Sequence, residues 1–192
     1  MRQGADRAPL KERKDDLYET VRPAIDTLLR LEKLPKYIWE PCAGRGAISR
    51  VLLEAGHLVC AQDLVAYRGA DGGIETPVDF LMELKAPAGC DMIVTNPPFK
   101  LADDFIRHGL SLVRYIWVLQ RLMAIEGANR WDIIDRHLVR VWAGIERLPT
   151  MHRENWTGPR QSKAGAPFGW FLFSSELTSG EFTVRRMSWR GP

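Results

Sequence analysis

Short apolar runs alternate with amphipathic stretches along most of the chain. VRPAIDTLLRLEKL repeats its apolar residues at helical spacing, and Pro23 falls in a first turn, where its missing N–H is not needed. YIWEP follows, a short apolar run ending in a carboxylate and a proline, which predicts a buried strand. CAGRGAI is a glycine turn, ISRVLLEAG a helix closed by Gly56, and HLVCAQDL a second strand ending in Asp63. AYRGADGGIETP has the composition of a loop, and VDFLMEL predicts a short strand and turn. After the breaker APAG, the continuous apolar strand DMIVTN runs into Pro97, Pro98 and Phe99. LADDFIRHGLSLV predicts a helix, YIWVLQRL a buried strand and NRWDIIDRHLV another helix. VRVWAGIERLP and FGWFLF predict two more strands, separated by a polar loop from about His152 to Pro167, and FTVRRMSW predicts an edge strand.

Strands alternating with helices predict an α/β fold, a mostly parallel sheet with helices on both faces. Residues 1–16 are polar and irregular and are expected to be a flexible arm; residues 17–192 are expected to form a single domain, with no repeat or interdomain linker. The length of 192 residues suits one such domain. With 45% hydrophobic and 27% charged residues, wholesale disorder, collagen and coiled coil are excluded. No apolar stretch approaches the ~20 residues that span a bilayer. The charged opening MRQGADRAPLKERKDD does not resemble a secretory signal, so a soluble, cytoplasmic protein without a membrane partner is expected.

Cys42, Cys60 and Cys90 are isolated from one another, as are His57, His108, His137 and His152. No CxxC or HxxxH spacing occurs, so no structural metal is expected, and Cys60 and Cys90 are expected in the core. Charge is distributed unevenly. Residues 1–99 carry 13 basic and 15 acidic side chains, residues 100–192 carry 14 and 9, and the bases of the second half are arginines except Lys100 and Lys163. Arginine's planar donor fork suits phosphates and base edges, although solvated helix faces would account for the same charges.

The sharpest local features, CAGRG, Asp63 and NPPF, all fall at predicted strand C-termini. Ligands of open α/β sheets bind beyond these ends. In Glu40-Pro41-Cys42-Ala43-Gly44-Arg45-Gly46, two glycines let a ligand approach the backbone at a helix N-terminus. Ser49 stands where a dinucleotide fingerprint has its third glycine. Asp63, 17 residues after Gly46, is placed to accept hydrogen bonds from both ribose hydroxyls of a nucleoside cofactor. In Asn96-Pro97-Pro98-Phe99 the prolines stiffen the backbone and remove two donors, leaving the Asn96 and Pro97 oxygens as acceptors beside an aromatic face. That set suits a planar substrate bearing an NH₂ group.

EPCAGRG followed by DMIVTNPPF resembles the class I S-adenosylmethionine-dependent methyltransferases that modify amino nitrogens, above all the adenine-N6 DNA methyltransferases. The likeness covers about Tyr18 to Phe173. It implies a Rossmann-like, doubly wound, mostly parallel seven-stranded sheet, with S-adenosyl-L-methionine as cofactor and DNA as partner. Tyr18 and Thr20 match the upstream element near the cofactor's amino-acid portion. Glu40, Pro41, Cys42, Ala43, Gly44 and Gly46 would wrap the methionine end and ribose edge, and Asp63 would bind the ribose. Asp79 and Phe80 would sit at the cofactor adenine, with Asp71, Glu75 and Glu83 as alternatives to Asp79. Asn96 and Pro97 would accept from the target NH₂, followed by Pro98, and Phe99 would stack on the base.

No separate target-recognition domain is expected. Lys100 and the loop MHRENWTGPRQSKAGAP, with His152, Arg153, Trp156, Arg160 and Lys163, are the candidate nucleic-acid contacts, since bases interleaved with an aromatic suit phosphate contact and stacking. A homodimer would offer a second DNA-binding surface. The same motifs are compatible with adenine-N6 methylation of RNA or N5-methylation of a protein glutamine. A non-catalytic nucleic-acid-binding protein would have no need of all four NPPF residues.

Overall fold

The computed structural model describes residues 17–71, 73–149 and 165–191. The N-terminal arm (1–16) and His152, Arg153, Trp156, Arg160 and Lys163 lie outside the described residues. In chain order the elements are α1 (Arg22–Leu31), β1 (Tyr37–Glu40), α2 (Ala47–Glu54), β2 (Leu58–Gln62), β3 (Ile74–Glu75), β4 (Met92–Thr95), α3 (Ala102–Leu112), β5 (Tyr115–Arg121), α4 (Trp131–His137), β6 (Leu138–Gly144), β7 (Phe168–Ser174) and β8 (Thr183–Met187). Short 3₁₀ turns lie at Phe80–Met82, Leu122–Ile125 and Ala128–Arg130.

All eight strands join one sheet in the order β3-β2-β1-β4-β5-β7-β6-β8. Every pairing is parallel except those of β7, which runs antiparallel to both β5 and β6. Strand order reverses between β1 and β4, so the crevice between their carboxyl ends is the topological switch point.

Side chains alternate across the sheet and feed two cores. Trp117 and Leu119 of β5 pack with Ile25 and Leu28 of α1 and Ile48 and Leu52 of α2. Ile116 and Val118 pack on the other face with Ile106 of α3 and Ile133 and Ile134 of α4. The two-sided burial explains why β4 and β5 are continuously apolar rather than alternating.

Among the described residues the sheet has eight strands, not the seven expected. β3 is only Ile74 and Glu75, paired with Ala61 and Gln62, and lies in the stretch whose composition predicted a loop. The neighbouring VDFLMEL does not form a strand: the Asp79 carboxylate accepts from the Leu81 N–H at 3.1 Å and caps a 3₁₀ turn. FTVRRMSW supplies the edge strand β8, parallel to β6.

Candidate active site

Between β1 and α2 the chain turns through Gly44 (φ 58°) and Gly46 (φ 89°), conformations glycine adopts without strain. A Cβ at Gly44 would come within 2.6 Å of Leu17 Cδ1, and one at Gly46 would collide with the Asp71 carboxylate. Asp71 is held there by Arg50, whose Nε and Nη2 donate to it at 3.1 and 2.9 Å. Pro41 and Ala43 are buried, and the Ala43 N–H donates to Gln62 O at 2.9 Å, tying the turn to β2.

Asp63 follows β2 directly and is 8% exposed. It accepts from the Gly44 N–H at 2.7 Å and the Val65 N–H at 2.9 Å, so one carboxylate clamps the glycine turn to the strand end. Its backbone oxygen accepts from the Val78 N–H at 2.9 Å, while the next residue, Asp79, is exposed and turned to the Leu81 N–H. Phe80, 3% exposed, is packed among Trp39, Phe105 and His108, at ring separations of 4.8–5.1 Å. It supports this wall from the core.

Glu40 ends β1 and is 1% exposed. Ser49, in the first turn of α2, hydrogen-bonds its carboxyl through both hydroxyl and backbone, yet Oε2 has no hydrogen-bond partner among the described residues. Burial is the main cause that pushes this carboxyl well above its ordinary range, and Asp63 and Asp71 add to it. A buried carboxyl oxygen without a partner calls for a donor or cation.

The glycine turn and NPPF meet. Cys42 Sγ and Thr95 Oγ1, from β1's turn and the end of β4, are 2.8 Å apart. Cys42 is half-buried with its sulfur turned onto Thr95, and burial pushes its thiol up. The next residue, Asn96, donates from Nδ2 to Tyr18 O at 3.3 Å and Thr20 Oγ1 at 3.0 Å. Because an amide carries donor and acceptor on opposite edges, these bonds fix which edge presents the acceptor. Pro97 is buried, while Pro98 and Phe99 are half-buried and Lys100 is exposed. The Phe99 ring lies 5.4 Å from Tyr18 and 6.1 Å from Phe168, and the Arg121 guanidinium sits 4.6 Å from its centroid.

Residues 17–20 therefore form a strap across the site. Leu17 rests on Gly44, Glu19 lies 3.7 Å from Arg45, and Tyr18 and Thr20 orient Asn96. The structure thus gathers Tyr18, Thr20, Glu40, Cys42, Gly44, Gly46, Asp63, Asn96 and Phe99 at the carboxyl ends of β1, β2 and β4. Sequence reasoning missed Thr95 and Arg121. Both stand at the carboxyl ends of strands, β4 and β5, the same positional signal that singled out Asp63. β6 ends and β7 begins at this end too, and the Leu122 N–H donates to Pro167 O at 2.9 Å beside Arg121. Among the described residues there is no group of three His, Cys, Asp or Glu side chains able to hold a metal ion, and no helix long and apolar enough to cross a membrane.

No protein-family model matches the sequence, and no curated protein matches it. Solved structures do match. A Listeria monocytogenes protein described as a class I S-adenosylmethionine-dependent methyltransferase superposes with a TM-score of 0.55 at 13% identity, covering 86% of this chain and 62% of its own. A Vibrio vulnificus protein described as a modification subunit of a type I restriction enzyme gives 0.56 at 12% identity, covering 88% and 47%. The 23S rRNA methyltransferase ErmE gives 0.52 at 12% identity, covering 84% and 71%. The chain thus spans less than two thirds of the Listeria and Vibrio proteins. At the level of fold, it has the Rossmann-like α/β architecture of the class I S-adenosylmethionine-dependent methyltransferases, with an eight-stranded, mostly parallel sheet.

Proposed function

We propose that the protein is an S-adenosylmethionine-dependent methyltransferase that modifies the exocyclic N6 amino group of adenine in DNA. The observation that carries this reading is the junction of the two motifs: Cys42 against Thr95, and Asn96 held by Tyr18 and Thr20 immediately beyond it. A cofactor pocket and an acceptor-rich amino-group pocket share one wall there.

The residues fit the cofactor. The Glu40 oxygen without a partner suits the ammonium of its amino-acid end, and the two left-handed glycines keep that wall free of side chains. Asp63 stands at the end of β2, the position from which a carboxylate suits the ribose hydroxyls of a nucleoside cofactor. When bound, the cofactor supplies a methyl group made electrophilic by its sulfonium.

An adenine amino group is a weak nucleophile because its lone pair is delocalised into the ring. Asn96 and Pro97 would accept from its two N–H bonds and favour a pyramidal nitrogen whose lone pair is exposed for attack. Phe99 holds the ring plane. Positioning and electrostatics supply most of the acceleration, and the proton leaves readily once nitrogen is cationic, so no strong base is required. Duplex DNA must extrude the base; a single strand need not.

The Vibrio modification subunit is in keeping with DNA as substrate, and ErmE with RNA, which stands as a second reading. The test is transfer from methyl-labelled S-adenosylmethionine to duplex DNA, single-stranded DNA, structured RNA and a protein extract, with mass analysis of the digests. The expected product is N6-methyladenine in DNA, reduced at least about 100-fold in Asn96→Ala while cofactor binding persists. Label confined to RNA or glutamine would move the substrate; absence of cofactor binding would overturn the enzyme reading.

A further inference from the structure

Arg121 ends β5 at the carboxyl edge of the sheet, exposed to solvent. Its guanidinium lies 4.6 Å from the centre of the Phe99 ring. Among the described residues it has neither an ion pair nor a side-chain hydrogen bond, whereas Arg107, Arg114, Arg130 and Arg140 each pair with a carboxylate at 2.6–2.8 Å. Its backbone is anchored to the start of β7 by the pairing of Arg121 with Phe168 and by the Leu122–Pro167 bond. The strand end that carries this charge is therefore anchored beside NPPF, and none of the described residues neutralises it.

A guanidinium against an aromatic face is attracted by the ring quadrupole, and stacking in this way leaves its in-plane N–H donors available. Those donors suit a singly charged anion that presents two oxygens, such as a phosphodiester. We infer that Arg121 is a substrate-binding residue that uses Phe99 as a platform and clamps the backbone phosphate adjoining the target nucleotide. This assignment rests on the nucleic-acid reading above. It explains why a cation stands at this strand end, where a small-molecule or peptide-amide pocket has no need of one. It also accounts for an arginine rather than a lysine, which can neither stack nor fork.

The experiment measures binding of a fluorescein-labelled oligodeoxyadenylate, and of its RNA counterpart, to the full chain with S-adenosylhomocysteine present, across about 50–200 mM NaCl. In Arg121→Ala, affinity falls about tenfold and the slope of log K against log salt shrinks by about 0.7, the value for one lost single-strand phosphate contact. Arg121→Lys recovers the slope but only part of the affinity. Binding of S-adenosylhomocysteine, followed by calorimetry, and the melting temperature stay unchanged in both variants. An unchanged slope in Arg121→Ala would overturn the phosphate clamp, whether affinity holds or falls, because a fall alone would mean ring packing. Failure of the unmodified protein to bind either polymer, with S-adenosylhomocysteine still bound, would instead overturn the nucleic-acid reading and this assignment with it.

Discussion

Glu40 is held at the end of β1 with its carboxyl shielded from water, and its pKa lies well above the ordinary carboxylate value. The unfolded chain, in which that carboxyl is solvated, gives up its proton at lower pH than the folded protein does. Between those two points the folded state holds the extra proton, so stability falls as pH rises through the window. Glu40→Gln keeps the shape and has no charge to desolvate. It should raise the melting temperature at the alkaline end of that window and remove this part of the pH dependence, a comparison calorimetry can make directly. The same substitution should weaken cofactor binding, because a charge-assisted hydrogen bond to the cofactor's ammonium, on the order of 1.5–3 kcal/mol, becomes a neutral one. In the unmodified protein cofactor affinity should increase with pH as Glu40 ionises; in Glu40→Gln that increase should vanish. A variant less stable at all pH values, with unchanged affinity, would contradict the role given to Oε2.

β7 must pass between β5 and β6 with its direction reversed, and at Gly169 it comes close to its neighbour's backbone. A Cβ there would stand 2.6 Å from Trp142 O, a backbone atom of the paired strand, and 2.7 Å from Leu122 Cδ2. The modest strand benefit of alanine over glycine is outweighed by overpacking, so Gly169→Ala should cost about 1–3 kcal/mol in urea denaturation. Elements differed in how far the sequence disclosed them. β4 and β5, buried on both faces, are legible because nothing in them is polar until the strand ends. β3 was not, since two residues cannot display an alternation, and its pairing is imposed by β2. VDFLMEL predicts a short strand and a turn, but the Asp79 cap leaves only the turn, in which Phe80 alone is buried. At the site, the residue types at strand ends pointed to Glu40, Asp63 and Asn96 individually. The bonds that join them, Cys42 to Thr95 and Asn96 to the 17–20 strap, cross 53 to 78 residues of chain and carry no local signature.

Across the whole molecule, the site sits where strand order reverses between β1 and β4, and β8 closes the opposite flank. β8 is fastened by the segment that follows it. Glu146 Oε1 accepts from Ser188 Oγ at 2.9 Å and the Trp189 N–H at 2.8 Å, and the Trp189 indole donates to Glu146 O at 3.0 Å. Trp189 is 3% exposed and packs in the α1 face of the core, while Arg30 donates to Ser188 O at 2.8 Å. This edge lies four strand positions from β4, about 19 Å at roughly 4.8 Å per step, beyond the range at which substitutions ordinarily couple. Trp189→Ala opens a cavity and leaves the Glu146 oxygen without its donor, a loss of about 3–5 kcal/mol in denaturant unfolding. Below its lowered melting temperature the variant should nonetheless bind S-adenosylhomocysteine within about twofold of the unmodified protein. A large loss of affinity in the still-folded variant would mean that the edge and the cofactor pocket are one cooperative unit, and the sheet would then be transmitting strain from β8 across β6, β7 and β5 to the strand that carries Asn96.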